Sequence, residues 1–178
     1  IADVSTDQGW VIEFQHSFIN PDERRSREAF YKNMVWVVDG LRRKNGRKQF
    51  TDAVRDKRSV FKDWFVVTLR QYDCRILEEW SNSRVPVFFD FGEDVFDFEE
   101  YILSGLWLLI PTGFDHPAYL AMVRKENFIG WLRKGDFNPQ PLSDLMRTYE
   151  QERLRAVKAR NAPQRMPRWM PRRSRRRF

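Results

Sequence analysis

Three polar residues near the start of the chain stand where they could do chemistry. Asp3 lies in IADVST, and Glu13 and Gln15 lie two apart in WVIEFQ, with Asp7, Gln8 and Gly9 between the two segments. Two short strands joined by a tight turn account for this text. Side chains alternate along a strand, so Glu13 and Gln15 share a face. An Asp on one strand and a Glu on its neighbour can converge on one hard divalent cation, Mg²⁺ or Mn²⁺, which takes oxygen ligands and keeps several waters. The backbone carbonyl of Phe14 can add an oxygen. Such an ion polarises a phosphodiester and lowers the pKa of an attacking water, and Gln15 is placed to orient that water or touch the phosphate. The expected chemistry is metal-assisted phosphodiester hydrolysis. Glu13 is conspicuous because Val11, Ile12 and Phe14 make its strand apolar. Its other reading is a solvated sheet face or a salt bridge to a nearby Arg.

The elements that must position these residues read as follows. Residues 1–6 and 10–15 form the hairpin. Asn20 is a helix N-cap, Pro21 fits the first helical position, and Asp22 and Glu23 complement the helix N-terminus; the helix runs to about Lys32. The apolar run 34–38 (MVWVV) has the length of a strand buried on both faces, ended by Asp39 and Gly40. Strand, helix, strand over about thirty residues predicts a parallel crossover. Residues 41–48 read as a basic loop, 50–62 as mostly helical, and 64–69 and 85–91 as strands. Residues 94–98 continue the sheet, and 100–110 fit helix or strand. The pattern predicts helices over 117–132 and 142–160. Pro163, Pro167 and Pro171 among arginines exclude a regular helix after Asn161.

Charge divides the chain. The total is +7, yet residues 153–178 hold eleven Lys and Arg and no acid, which leaves 21 bases against 25 acids and a net −4 elsewhere. An aromatic share of 15% argues for a packed core rather than a disordered chain. One cysteine, Cys74, excludes a disulfide framework or Cys-rich zinc site within this sequence, and two histidines leave little for a His-based metal cluster. No apolar run approaches a membrane span, and the first residues do not read as a signal peptide. The expectation is a cytoplasmic protein with no membrane partner. The chain opens on Ile1 rather than Met, so a further N-terminal portion is expected.

Asp, a hairpin turn and Glu-x-Gln on the next strand resemble the core of PD-(D/E)XK nucleases. The longer text ADVSTDQGWVIEFQHSFINPDERRSREAFYKNMVWVVDG is similar to the nuclease-like domain of the competence protein CoiA-like family. The resemblance covers about residues 2–40 well, VPVFFDFG (85–92) and the Leu106–Trp107 pair weakly, and nothing after about 135. It implies an α/β fold of restriction-endonuclease-like type: a mixed sheet flanked by helices, here without its usual first helix, followed by a basic tail. Residues 1–135 would be the nuclease-like domain, 136–160 a helical extension and 161–178 a Pro/Arg-rich tail. The implied activity is a Mg²⁺- or Mn²⁺-dependent deoxyribonuclease, by expectation an endonuclease, with Asp3, Glu13 and the Phe14 carbonyl on the metal. Asp3, Glu13, Gln15 and His16 would be catalytic. Gln15 stands where most of the superfamily has Lys, so the missing positive charge is expected from Arg24 or Arg25.

The remaining residues carry weaker readings. Arg24, Arg25, Arg42, Arg43 and Lys44 could grip DNA phosphates on either side of the scissile bond, or form solvated faces. His16 could instead cap its strand, and Ser17 reads as turn chemistry. Asp39 is a strand-ending turn residue that would lie near the site if its strand is parallel. His116 is loop punctuation, Cys74 an inert thiol, and the aromatics of 88–107 core. The basic tail, with Trp169, could bind nucleic acid by stacking and charge or dock on an acidic partner. Two other functions stay open: a non-catalytic nucleic-acid-binding module, and a subunit of a larger complex that docks through its tail.

Overall fold

The computed structural model describes residues 3–55, 57–62, 64–92, 96–97, 102–110, 117–134 and 140–161. His116, Trp169 and the tail beyond Asn161 lie outside them. The hairpin forms as expected, with β1 (Val4–Ser5) antiparallel to β2 (Val11–Gln15). The helix α1 (Pro21–Phe30) starts where the sequence signals it. The Asn20 side chain accepts from the Asp22 N–H at 2.8 Å, which satisfies one of the helix's unpaired amides. Strand β3 (Met34–Asp39) then pairs in parallel with β2, so the crossover is present.

The chain continues as α2 (Gly46–Arg55), β4 (Arg58–Phe61), β5 (Trp64–Leu69), α3 (Arg75–Trp80), β6 (Val87–Asp90), β7 (Phe96–Asp97), β8 (Ile102–Leu103), β9 (Leu106–Ile110), β10 (Ala118–Val123), α4 (Lys125–Lys134) and α5 (Gln140–Asn161). Eight strands form one mixed sheet in the order β1-β2-β3-β6-β9-β10-β5-β4. Strands β2, β3 and β6 are parallel, and the rest join antiparallel.

Helices cover both faces. On one, Val11, Trp36, Phe50, Trp80, Phe89 and Trp107 pack beneath α1, α2 and α3. On the other, Ile12, Val35, Phe88, Phe128 and Met146 pack beneath α4 and α5. The aromatics of 88–107 that can be described are core: Phe50 meets Phe89, Phe91, Phe96 and Trp107 within ring-centroid distances of 4.6–6.2 Å.

Four local expectations change. The helix expected over 117–132 is strand β10 followed by α4, because all six residues of AYLAMV are buried and a strand enclosed on both faces shows no alternation. The segment 50–62 divides between the end of α2 and β4. Helix α2 also takes the last residues of the expected basic loop. Phe96–Asp97 pairs with β8 in a separate two-stranded ribbon rather than extending the sheet. The short helix α3 has no counterpart in the sequence reading.

Candidate active site

The hairpin sets Asp3 one residue before the Val4–Ile12 pair, level with Glu13 and Phe14. The Asp3 Oδ2 accepts the Phe14 N–H at 2.8 Å. A residue's N–H and C=O point to the same edge of a strand, so the Phe14 carbonyl is directed to the edge that Asp3 occupies. Glu13 projects from the neighbouring position onto the face covered by α1. Its side chain is 3% exposed, and its Oε2 accepts from Arg27 Nη1 at 2.8 Å. Arg27 also donates to Glu23 Oε1 at 2.7 Å. Hydrogen bonding to Glu23, together with the charge and hydrogen bond of Glu13, outweighs desolvation and raises the Arg27 pKa above its ordinary value. An open groove of about 270 Å³, lined by Glu13, Ser26, Arg27, Phe30 and Tyr31, adjoins this pair.

The donor chemistry fits a hard divalent ion. Two carboxylates and a carbonyl supply oxygens only, the donor type that Mg²⁺ takes alongside its retained waters. Among the described residues no three His, Cys, Asp or Glu side chains converge as a ready-made metal group. Arg27 already neutralises Glu13, so a cation on Oε2 must displace or share that guanidinium.

Gln15 lies on the Glu13 face, as alternation requires. Its amide N–H groups go to Ser17: Nε2 donates to the Ser17 carbonyl at 2.9 Å and lies 3.3 Å from its hydroxyl. The amide oxygen has no protein partner among the described residues. His16 does not join this group. Together with Phe14 it lies on the opposite face, with Nδ1 3.8 Å from Asp39 Oδ2. There a cavity of about 190 Å³ opens at the carboxyl ends of β2, β3 and β6, lined by His16, Asp39 and Asp90 among others. Asp39 and Asp90 are register partners, and Lys125 Nζ lies 3.2 Å from Asp90 Oδ1. The sequence reading reached Asp39 but not Asp90 or Lys125. The repeated ending of apolar strand, Asp and nearby Gly, in VVDG and FFDFG, was the available signal.

The expected phosphate grip is largely spent inside the protein. Arg24 is 3% exposed, stacks on Trp80, donates to the Glu79 carbonyl at 2.5 Å and to Asn82, and lies 3.5 Å from Glu28. Burial lowers its pKa despite Glu28. Arg42 and Arg43 both pair with Glu79, which also takes Arg75 Nε at 3.2 Å. Arg25 pairs with Asp22. Lys44 alone of the five is exposed with no described acidic partner. Along α1, Arg24 and Glu28 are four apart and face the sheet, while Arg27 is turned toward β2.

Comparison with family models, with curated proteins and with solved structures gives no match.

Proposed function

We propose that the protein is a metal-dependent nuclease that hydrolyses phosphodiester bonds of DNA, on a sheet of restriction-endonuclease-like type. One observation carries the reading: the Asp3 carboxylate is fixed to the Phe14 amide beside the buried Glu13, at the edge of the hairpin. Asp3, Glu13 and the Phe14 carbonyl would hold Mg²⁺ or Mn²⁺. When bound, the ion lowers the pKa of a water and neutralises charge on the phosphate. The chain's own residues supply the rest. Arg27 provides a positive charge beside Glu13, in the role that Lys has at the Gln15 position elsewhere and that Arg24 and Arg25 do not fill here. Gln15, with its donors tied to Ser17, offers its amide oxygen as an acceptor that can orient an attacking water. Hydrolysis forms a bond from that water's oxygen to phosphorus and breaks a P–O bond to sugar; one proton of the attacking water passes to solvent, and solvent protonates the departing sugar oxygen.

Arg27 on Glu13 also favours a second reading, a nucleic-acid-binding module on the same scaffold in which the ion pair takes the place of a metal. Cleavage of plasmid and single-stranded DNA with Mg²⁺, Mn²⁺ or EDTA separates the two. Asp3→Asn and Glu13→Gln should each abolish cutting while leaving DNA binding intact. If Glu13→Gln cuts as fast as the parent, the nuclease assignment is wrong.

A further inference from the structure

The helix α5 is about 33 Å long at 1.5 Å per residue, and its two halves have different surroundings. Its first half packs on the sheet: Met146 is buried, Leu145 and Tyr149 rest against the core, and Glu150 accepts from the Tyr119 hydroxyl at 3.1 Å. From Gln151 to Asn161 every residue is exposed. Three helical turns thus bury no side chain against the sheet, although an isolated helix of that length is marginal in water.

The free half is strongly charged. It holds Arg153, Arg155, Lys158 and Arg160 against the single acid Glu152, and no acid follows. Arg153 leans back toward Tyr119. Arg155, Lys158 and Arg160 have no acidic partner among the described residues, unlike Arg24, Arg25, Arg42 and Arg43. At 100° per residue Arg153 and Arg160 share one flank, while Arg155 and Lys158 lie on the other. Leu154 and Val157 occupy one side between the flanks, at 46% and 45% exposed. Two basic flanks on one rod match two rows of phosphate, the arrangement that an α-helix meets in the major groove of a duplex. Residues 1–152, at net −4, offer little long-range attraction for a polyanion.

We infer that the free half of α5 is the protein's nucleic-acid arm and takes the phosphate backbone of duplex DNA. This rests on the nucleic-acid part of the function proposed above and not on hydrolysis. The test is equilibrium binding of the full chain to a 30-base-pair duplex, and to its single strand, in EDTA across a salt series. The parent is compared with Arg155→Gln/Lys158→Gln/Arg160→Gln, whose exposed glutamines preserve helix propensity; circular dichroism confirms the fold. Each phosphate contact contributes about 0.9 to the slope of log K against log salt. The triple variant should therefore lose about 2 to 3 from that slope, and bind the duplex a hundredfold or more weaker at 0.1 M salt. The parent should prefer duplex to single strand. A slope unchanged within about 0.5 overturns the inference. So does equal binding to the two DNA forms, or a variant that loses only self-association by light scattering. Mg²⁺-dependent cutting that persists in the triple variant and still requires Glu13 would sink the arm while sparing the nuclease.

Discussion

The Arg27–Glu13 pair lies inside the proposed site, and its strength can be worked out. The N–O distance is 2.8 Å, with Glu13 3% and Arg27 41% exposed. Two unit charges about 4 Å apart attract by about 4 kcal/mol at an effective dielectric of 20. Partial exposure of the guanidinium and the cost of desolvating Glu13 reduce this, so a coupling of about 1–3 kcal/mol is expected. The perturbation is a double-mutant cycle of Arg27→Ala and Glu13→Gln, measured by urea denaturation at neutral pH in low and high salt. Arg27→Ala alone should be the most damaging variant, because it leaves a buried carboxylate unpaired. The double variant should recover much of that loss. A control cycle of Arg27 with the half-exposed Glu23 should give no more than about 0.5 kcal/mol. Millimolar Mg²⁺ should raise the melting temperature of Arg27→Ala more than that of the parent, since the cation then has no guanidinium to displace. Additivity within about 0.5 kcal/mol refutes the claim that Arg27 holds Glu13.

Three further outcomes follow from the packing and the titrating groups. Burial pushes the Cys74 thiol up to about 11, so the native protein should resist maleimide at pH 8 and react quickly in denaturant; rapid native labelling contradicts this. At Gly40 an added Cβ would stand 2.4 Å from the Phe91 ring, and Gly40→Ala should cost about 1–3 kcal/mol by overpacking, read as a lowered urea midpoint. Burial raises the Asp73 pKa, but Lys57 and the Arg70 amide outweigh it and hold the carboxyl below its ordinary value. Its stabilisation is therefore present above the unfolded pKa of about 4 and lost as pH falls through the lower folded value. Asp73→Asn should lower stability at pH 7 and flatten the acid limb; an unchanged acid limb contradicts the assignment.

Much of the N-terminal half was legible because its signals are local. Asn20, Pro21, Asp22 and Glu23 mark a helix start through neighbouring backbone amides, and MVWVV is too apolar for a strand with a wet face. The same alternation that places Gln15 beside Glu13 puts His16 on the other side, so the separation of His16 was readable in principle. Strand β10 was harder. AYLAMV is enclosed by β9, β5 and both helical layers, and burial on both faces erases the period that distinguishes strand from helix.

Composition and pattern alone mark Glu13 as an acid in an apolar strand, open to a cation, a guanidinium or solvent, and gather the positive charge after residue 152. Which arginine answers Glu13, and which arginines are left for a partner, depends on how the elements pack. Arg24, Arg25 and Arg27 are equivalent in composition. The packing of α1 beside β2 and α3 turns Arg24 into the core against Trp80, leaves Arg25 with Asp22 and brings Arg27 to Glu13. A charge's partner is set by long-range packing, which the spacing of residues along one helix does not contain.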